Sequence, residues 1–235
     1  DQDLTALIYA GLMTLGPNGE VVPDIAESVS VSDDGLTYDI VLKKNVIFHD
    51  GMPLTADDVL FTISRVLDPA VKSPLRASWD GVSTTRMSAS ELQCFLCSRY
   101  SPFFENLTLG ILPKHIWEKA TADEIPFSQY NSEPIGAGPY KMYKIKRTDS
   151  GIPESYELTA NTDYFKESPK IEALVLHFYP TEDNLVSALK KGEVTSAGGL
   201  SKASVDALEA AHVLFSLQTT PLPRTFTLFF NQNIS

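Results

Sequence analysis

Apolar residues fall at every second position through "GLTYDIVLKK", placing Leu36, Tyr38, Ile40 and Leu42 on one side of an extended chain. With "SVSVS" before it and the turn formers Asp33, Asp34 and Gly35 between, the pattern predicts a half-buried β-hairpin. The period then lengthens. In "LTADDVLFTISRVLD", Val59, Ile63 and Val66, flanked by Leu60 and Leu67, recur at helical spacing. Thr55 stands where an N-cap belongs, with Asp58 three residues on, and Asp57 and Asp58 suit the positive end of a helix dipole. This predicts a helix that stops before Pro69.

The apolar-rich "LTALIYAGLMTL", Leu4 to Leu15, runs into Pro17, Asn18 and Gly19, a turn signal that predicts a short hairpin. Strands are expected near Val82 to Ser88 and Glu91 to Ser98, then two short helices in "SPFFENLTLGILPKHIWEKA", the second starting near Pro113. A polar connector covers 123–133. Beyond it "PIGAGPYKMYKI" leads two glycines into an alternating strand, "ESYELTAN" supplies its partner, and the apolar "KIEALVLHFYP" suits a sheet centre. A helix capped by Thr181 and closed by Gly192, a helix in "SKASVDALEAA", and strands "HVLFSL" and "RTFTLFFN" complete the chain. Strand and helix thus alternate in the second half, which points to a mixed α/β layer beside a hairpin-rich first half.

Composition narrows the function. The chain has 235 residues with 43% hydrophobic, enough for one large domain or two small ones. Lys and Arg number 19 against 30 Asp and Glu, a formal charge of -11 that repels phosphate backbones, so nucleic acid is not an expected partner. No apolar run reaches membrane-span length, and Asp1 opens without a basic or apolar leader, which reads as a cytoplasmic chain or one already trimmed of an export signal.

Three clusters bear on chemistry. Cys94 and Cys97 have CxxC spacing, yet they sit in a strand pattern where positions three apart face opposite sides, and no second CxxC exists for a zinc site. Two free, mostly buried thiols are expected. His49 and Asp50 in "FHDG" invite a metal reading, but a site needs further ligands, and His115, His177 and His212 lack HxH or HxxxH spacing. Asp50 and Gly51 read instead as turn formers. GxSxG, HExxH, P-loop and GxGxxG motifs are lacking, and "GAGPY" fails as a nucleotide loop because Pro139 interrupts the helix that should follow. Asp57 and Asp58 as a catalytic carboxylate pair would be the enzyme reading; helix-start charge explains them better.

Four segments together resemble the extracellular solute-binding proteins of peptide and nickel ABC importers, the oligopeptide- and dipeptide-binding type. They are Val21 to Pro69, "PFFENLTLGILPKHIWE" from Pro102, "PIGAGPYKM" from Pro134, and "LTANTDYFKESPKIEALVLHFYP" from Leu158. The resemblance implies an α/β fold: a mixed-sheet lobe of a type II (cluster C) periplasmic-binding-protein-like fold with an inserted hairpin-rich subdomain. Residues 1–20 would start the first-lobe core, 21–133 form the inserted subdomain, and 134–235 return to the core. Family members are considerably longer, so the chain is expected to be an N-terminal-lobe fragment that stops before the second lobe. "GAGPY" has Ala137 where the family commonly has Thr.

Implied by the resemblance is a protein that closes over a solute, with peptide recognition by backbone pairing in the manner of strand addition. The expected function is capture of oligopeptides or dipeptides for delivery to ABC permease subunits, without a cofactor or bound metal. Nickel complexes, haem, opines, sugars, or a sensing role are the alternatives. The setting implied is periplasmic or extracellular, with a lipid anchor possible upstream of Asp1. Candidate positions on the ligand wall are Tyr9, Gly11, Met13, Gly136, Gly138, Tyr140, Phe230, Asn231 and Asn233. Each also has a structural reading: Tyr9 and Phe230 as core aromatics, the glycines as turn residues, the asparagines as turns or caps. Trp79 is open between stacking and packing, whereas Trp117 reads as packing.

Overall fold

The computed structural model describes residues 2–218, which fall into two compact units divided between Phe178 and Tyr179. The first unit opens with helix α1 (Gln2–Ile8), then a two-stranded antiparallel ribbon of β1 (Met13–Leu15) and β2 (Val21–Pro23). Gly19, at φ +84°, closes the turn between them.

The predicted hairpin is β3 (Ala26–Val31) and β4 (Thr37–Leu42), turned at Gly35 with φ +70°. The Leu36 amide donates to Asp34 Oδ1 at 3.0 Å, which fixes the turn. β5 (Val82–Arg86) and β6 (Glu91–Leu96) extend it into an antiparallel sheet of order β3-β4-β6-β5. Tyr38, Ile40 and Leu42 turn inward as the period-two pattern requires, and α2 (Ala56–Leu67) contributes Val59, Ile63 and Val66 to the same core.

The start of α2 is tied down by Asp58. Its Oδ2 accepts from the Thr55 amide at 2.9 Å and the Thr55 hydroxyl at 3.0 Å, while Oδ1 accepts from the Lys114 amide at 2.9 Å. One buried carboxylate therefore caps α2 and holds the first residue of α4 (Lys114–Trp117), which follows α3 (Phe103–Asn106). Asp57 pairs outward with Arg86 at 3.1 Å. Both acids have structural partners at the helix start. Trp79 is resolved as packing: it is buried, with its ring edge-on to Phe103 at 5.6 Å, and Trp117 is likewise buried beside Tyr130.

A second sheet, β7 (Tyr140–Arg147), β8 (Pro153–Ala160) and β9 (Ala173–His177), is antiparallel in the order β7-β8-β9. Ile8 of α1 packs with Tyr140, Tyr156 and Leu158 to form its core. β8, not the apolar "EALVLH" run, is the central strand among the described residues. In β9 only Leu174 and Leu176 are half-buried, and Val175 is exposed. An apolar run marks surface that can be buried, but strand order decides whether a layer covers both faces.

The second unit holds α5 (Glu182–Lys191) and α6 (Lys202–Ala210), which contact each other. Thr181 caps α5 by accepting from the Asn184 amide at 3.2 Å, and Gly192, at φ +72°, ends it. The expected strand "HVLFSL" is absent: His212 to Gln218 make no ladder among the described residues. "RTFTLFFN" lies outside the described residues. A short apolar run forms a strand only where another strand meets it.

Cys94 faces inward from β6, and desolvation pushes its thiol up to about 12. Cys97 lies past the end of that strand and is exposed, so the expectation of two mostly buried thiols holds for one of them. The alternation that separates the two also carries Cys97 out to solvent.

Candidate ligand wall at the end of helix α1

The residues from Ala10 to Met13 run between two other segments of chain. The Ile111 amide donates to Ala10 O at 2.9 Å and the Met13 amide to Leu107 O at 2.9 Å on one side; the Ile25 amide donates to Gly11 O at 3.0 Å on the other. This confinement explains Gly11: a β-carbon there would lie 2.7 Å from Thr108 O and 2.8 Å from Met13 O. Met13 is buried in the main core.

The "GAGP" loop docks on the last turn of α1. The Gly138 amide donates to Ile8 O at 2.8 Å, and a β-carbon on Gly138 would stand 2.5 Å from the Ile8 carbonyl carbon. A β-carbon on Gly136 would overlap Ile8 O and approach Tyr9 Cδ1 to 3.0 Å. Both glycines are therefore close-approach residues, and neither has a positive φ. Tyr9 lies against Gly136 on one side and Gly110 on the other, where a β-carbon would come within 2.8 Å of Tyr9 Cβ. Its ring is half-buried, and desolvation pushes the phenol up to about 12.

His49 fastens the same loop. Its backbone amide donates to Gly136 O at 2.8 Å, the Gly136 amide donates to His49 Nδ1 at 3.3 Å, and Nε2 meets Gly138 O at 3.0 Å. A carbonyl only accepts and an amide N–H only donates, so these partners require the neutral ring with its proton on Nε2. Burial is the main reason the imidazole titrates low, at about 4; the Gly138 carbonyl opposes that shift. Buried Asn161 completes the fastening: Nδ2 donates to Gly138 O at 3.0 Å and its amide to Pro139 O at 2.8 Å. Gly138 O thus accepts twice.

These contacts answer the question posed by "FHDG". Gly51 has φ +86°, as the turn reading requires, while Asp50 pairs with His115 Nε2 at 2.7 Å. Both His49 nitrogens are occupied by loop backbone. Among the described residues no group of three His, Cys, Asp or Glu could hold a metal ion, and no helix is long and apolar enough to cross a membrane.

Of the residues picked from sequence, Tyr9, Gly136 and Gly138 come together at the end of α1, and Gly11 continues from Tyr9. Tyr140 follows the loop, but its ring is buried and its hydroxyl donates to Ile171 O at 3.0 Å. Phe230, Asn231 and Asn233 lie outside the described residues. Sequence reasoning missed His49 and Asn161 as loop fasteners and Gly110 as the seat of Tyr9. The turn at "FHDG" was visible, but nothing local links it to a loop so far along the chain.

Residues 20–235 match the sequence model described as "Bacterial extracellular solute-binding proteins, family 5 Middle". The chain belongs to this family, and its fold is of the periplasmic-binding-protein-like kind. It is 30% identical over 196 residues to the oligopeptide-binding protein AppA of Bacillus subtilis, covering 82% of this chain and 35% of that protein. The solved structure of that AppA in complex with a nonapeptide superposes with a TM-score of 0.75 at 29% identity, covering 82% of this chain and 38% of that one. NikZ from Campylobacter jejuni in complex with Ni(L-His) superposes with a TM-score of 0.73 at 32% identity, covering 80% and 37%. The chain therefore spans little more than a third of the length of these relatives.

Proposed function

We propose that this chain is part of the solute-binding component of an ABC importer, which captures oligopeptides or dipeptides between lobes and delivers them to membrane permease subunits. The observation that carries the reading is the likeness, over four-fifths of this chain, to a protein solved with a nonapeptide in place. The first-lobe segments at 1–20 and 134–235, with 21–133 inserted, would offer one wall of the cleft. Tyr9 would offer an aromatic face there, set in place by the buried glycines Gly11, Gly136 and Gly138 around it; Met13, Tyr140, Phe230, Asn231 and Asn233 complete the proposed set. Glycine suits such a place because two stretches of main chain can approach without meeting a β-carbon, which holds the aromatic face in position.

The work done is differential binding to a closed state, with no bond made or broken. The setting is periplasmic or extracellular, with anchoring through a lipid upstream. The test is mass spectrometry of small molecules that co-purify with the full-length protein. A ladder of short peptides is the expected result. The NikZ complex gives the competing reading a specific footing: a single nickel chelate, or another single non-peptide species, would replace peptide as the solute.

A further inference from the structure

We propose that His49 is a proton-released latch on the "GAGP" loop, a positioning residue that holds the loop against α1 when neutral and frees its Gly136 end when protonated. The proposal rests, for its bearing on ligand binding, on the reading that this loop belongs to the cleft wall.

The geometry makes the ring a two-ended clip. Nδ1 accepts from the Gly136 amide and Nε2 donates to Gly138 O, so one imidazole spans the loop from its first glycine to its second. A second proton has one place to go, Nδ1, where it would confront the Gly136 N–H as donor against donor. The Gly136 amide then loses its acceptor while enclosed. The two ends respond differently: Gly136 keeps the His49 backbone amide on its carbonyl but no partner for its N–H, whereas Gly138 keeps Asn161 Nδ2 on its carbonyl and Ile8 O for its amide. Release therefore starts at Gly136, the glycine against which Tyr9 lies.

The charges that act on the ring are few. Lys141 of β7 disfavours a second proton. Asp50, next in sequence, favours one, but its carboxylate is already engaged by His115 of α4. From α1 the groups that face the loop are the Ile8 carbonyl and the Tyr9 phenol, which stays neutral across the acid range. From the segment after β8, Asn161 is neutral at every pH. Asp50 is the one anion among these and its pull is smaller than the cost of burial, so the low titration of His49 follows mainly from the enclosure itself.

The test uses the full-length protein that carries this chain, without ligand. Hydrogen exchange of peptides covering 134–139 is followed from about pH 7 to pH 4 and corrected for intrinsic exchange rates. If opening frees the imidazole, protection falls by roughly a hundredfold across that range. In H49Q, which carries a donor and an acceptor but no titrating group, the fall is absent. A wild-type loop whose protection is flat across the range, or an H49Q loop that loses protection like wild type, overturns the latch. Should H49Q fail to fold, histidine-selective nitrogen NMR of the wild type decides: one imidazole must remain in the neutral Nε2–H form well below pH 6, and its absence refutes the proposal. Affinity for a nonapeptide, measured on the same samples, is read separately. A loop that opens on acidification while affinity stays constant would keep the latch and remove the loop from the ligand wall.

Discussion

Gly136 and Gly51 are both glycines in tight places, for unlike reasons. Gly51 has open space around it but a left-handed backbone, so Gly51→Ala should cost about 1 kcal/mol through strain alone. Gly136→Ala puts a methyl into the Ile8 carbonyl, and overpacking there should cost about 2 to 3 kcal/mol in urea unfolding, with α1 loosened. The difference between the two variants is the expected outcome; equal costs would mean that α1 yields easily. His49 gives the same neighbourhood a pH dependence. An unfolded imidazole titrates near 6.5 and this one at about 4, so between those values the unfolded chain holds more protons. Its contribution is full above about pH 6.5, declines as pH falls through the window, and levels off below about pH 4. The ceiling is about 3 kcal/mol, reduced because the ring is partly exposed. Unfolding curves at several pH values should show the decline in wild type and a flatter profile in H49Q. Neither effect was legible in the sequence. "FHDG" announces a turn and the glycines of "GAG" read as ligand-wall or turn residues, but local chemistry names no partner for either.

At the scale of elements, legibility followed the kind of signal. α2 could be read almost to the residue because an apolar stripe, a cap and a proline stop coincide within one stretch, and the hairpin of β3 and β4 because period two brackets a turn. The cap does more than the sequence says. Asp58 also fixes the start of α4 through the Lys114 amide, so Asp58→Ala strips acceptors from two helix starts at once. It should cost about 3 kcal/mol, more than an ordinary cap removal, whereas Asp57→Ala, with its exposed Arg86 partner, should cost under about 1 kcal/mol. Denaturant midpoints of the two variants check this. Among the described residues β9 and "HVLFSL" depart from expectation for one reason: whether an apolar run is central, outer or no strand depends on what lies beside it. CxxC spacing was read correctly for direction but not for depth. A thiol reagent should accordingly label Cys97 quickly in the folded protein and Cys94 only after unfolding.

For the whole molecule, the family could be recognised from ordered segments scattered along the chain, while the candidate wall could not be assembled from them. It is built where Tyr9, His49, Gly110, Gly136 and Asn161 meet, and their separation in sequence hides the meeting. Ile171, Val175 and Leu214 are exposed at 58%, 53% and 99%, apolar surface that should make the 235-residue chain self-associate when expressed alone. Light scattering that shows a monomer at high concentration would remove this expectation. The position of α1 bears on how the chain is made. The buried partners of Ile8 among the described residues, Tyr140, Tyr156 and Leu158, follow it by more than a hundred positions. Helix α1 is thus made well before the strands it packs on, and at ordinary rates of synthesis it waits on the order of ten seconds for them. The small core that Ile8 shares with β7 and β8 therefore closes only after those strands have been made, however early the larger core of the first sheet has formed.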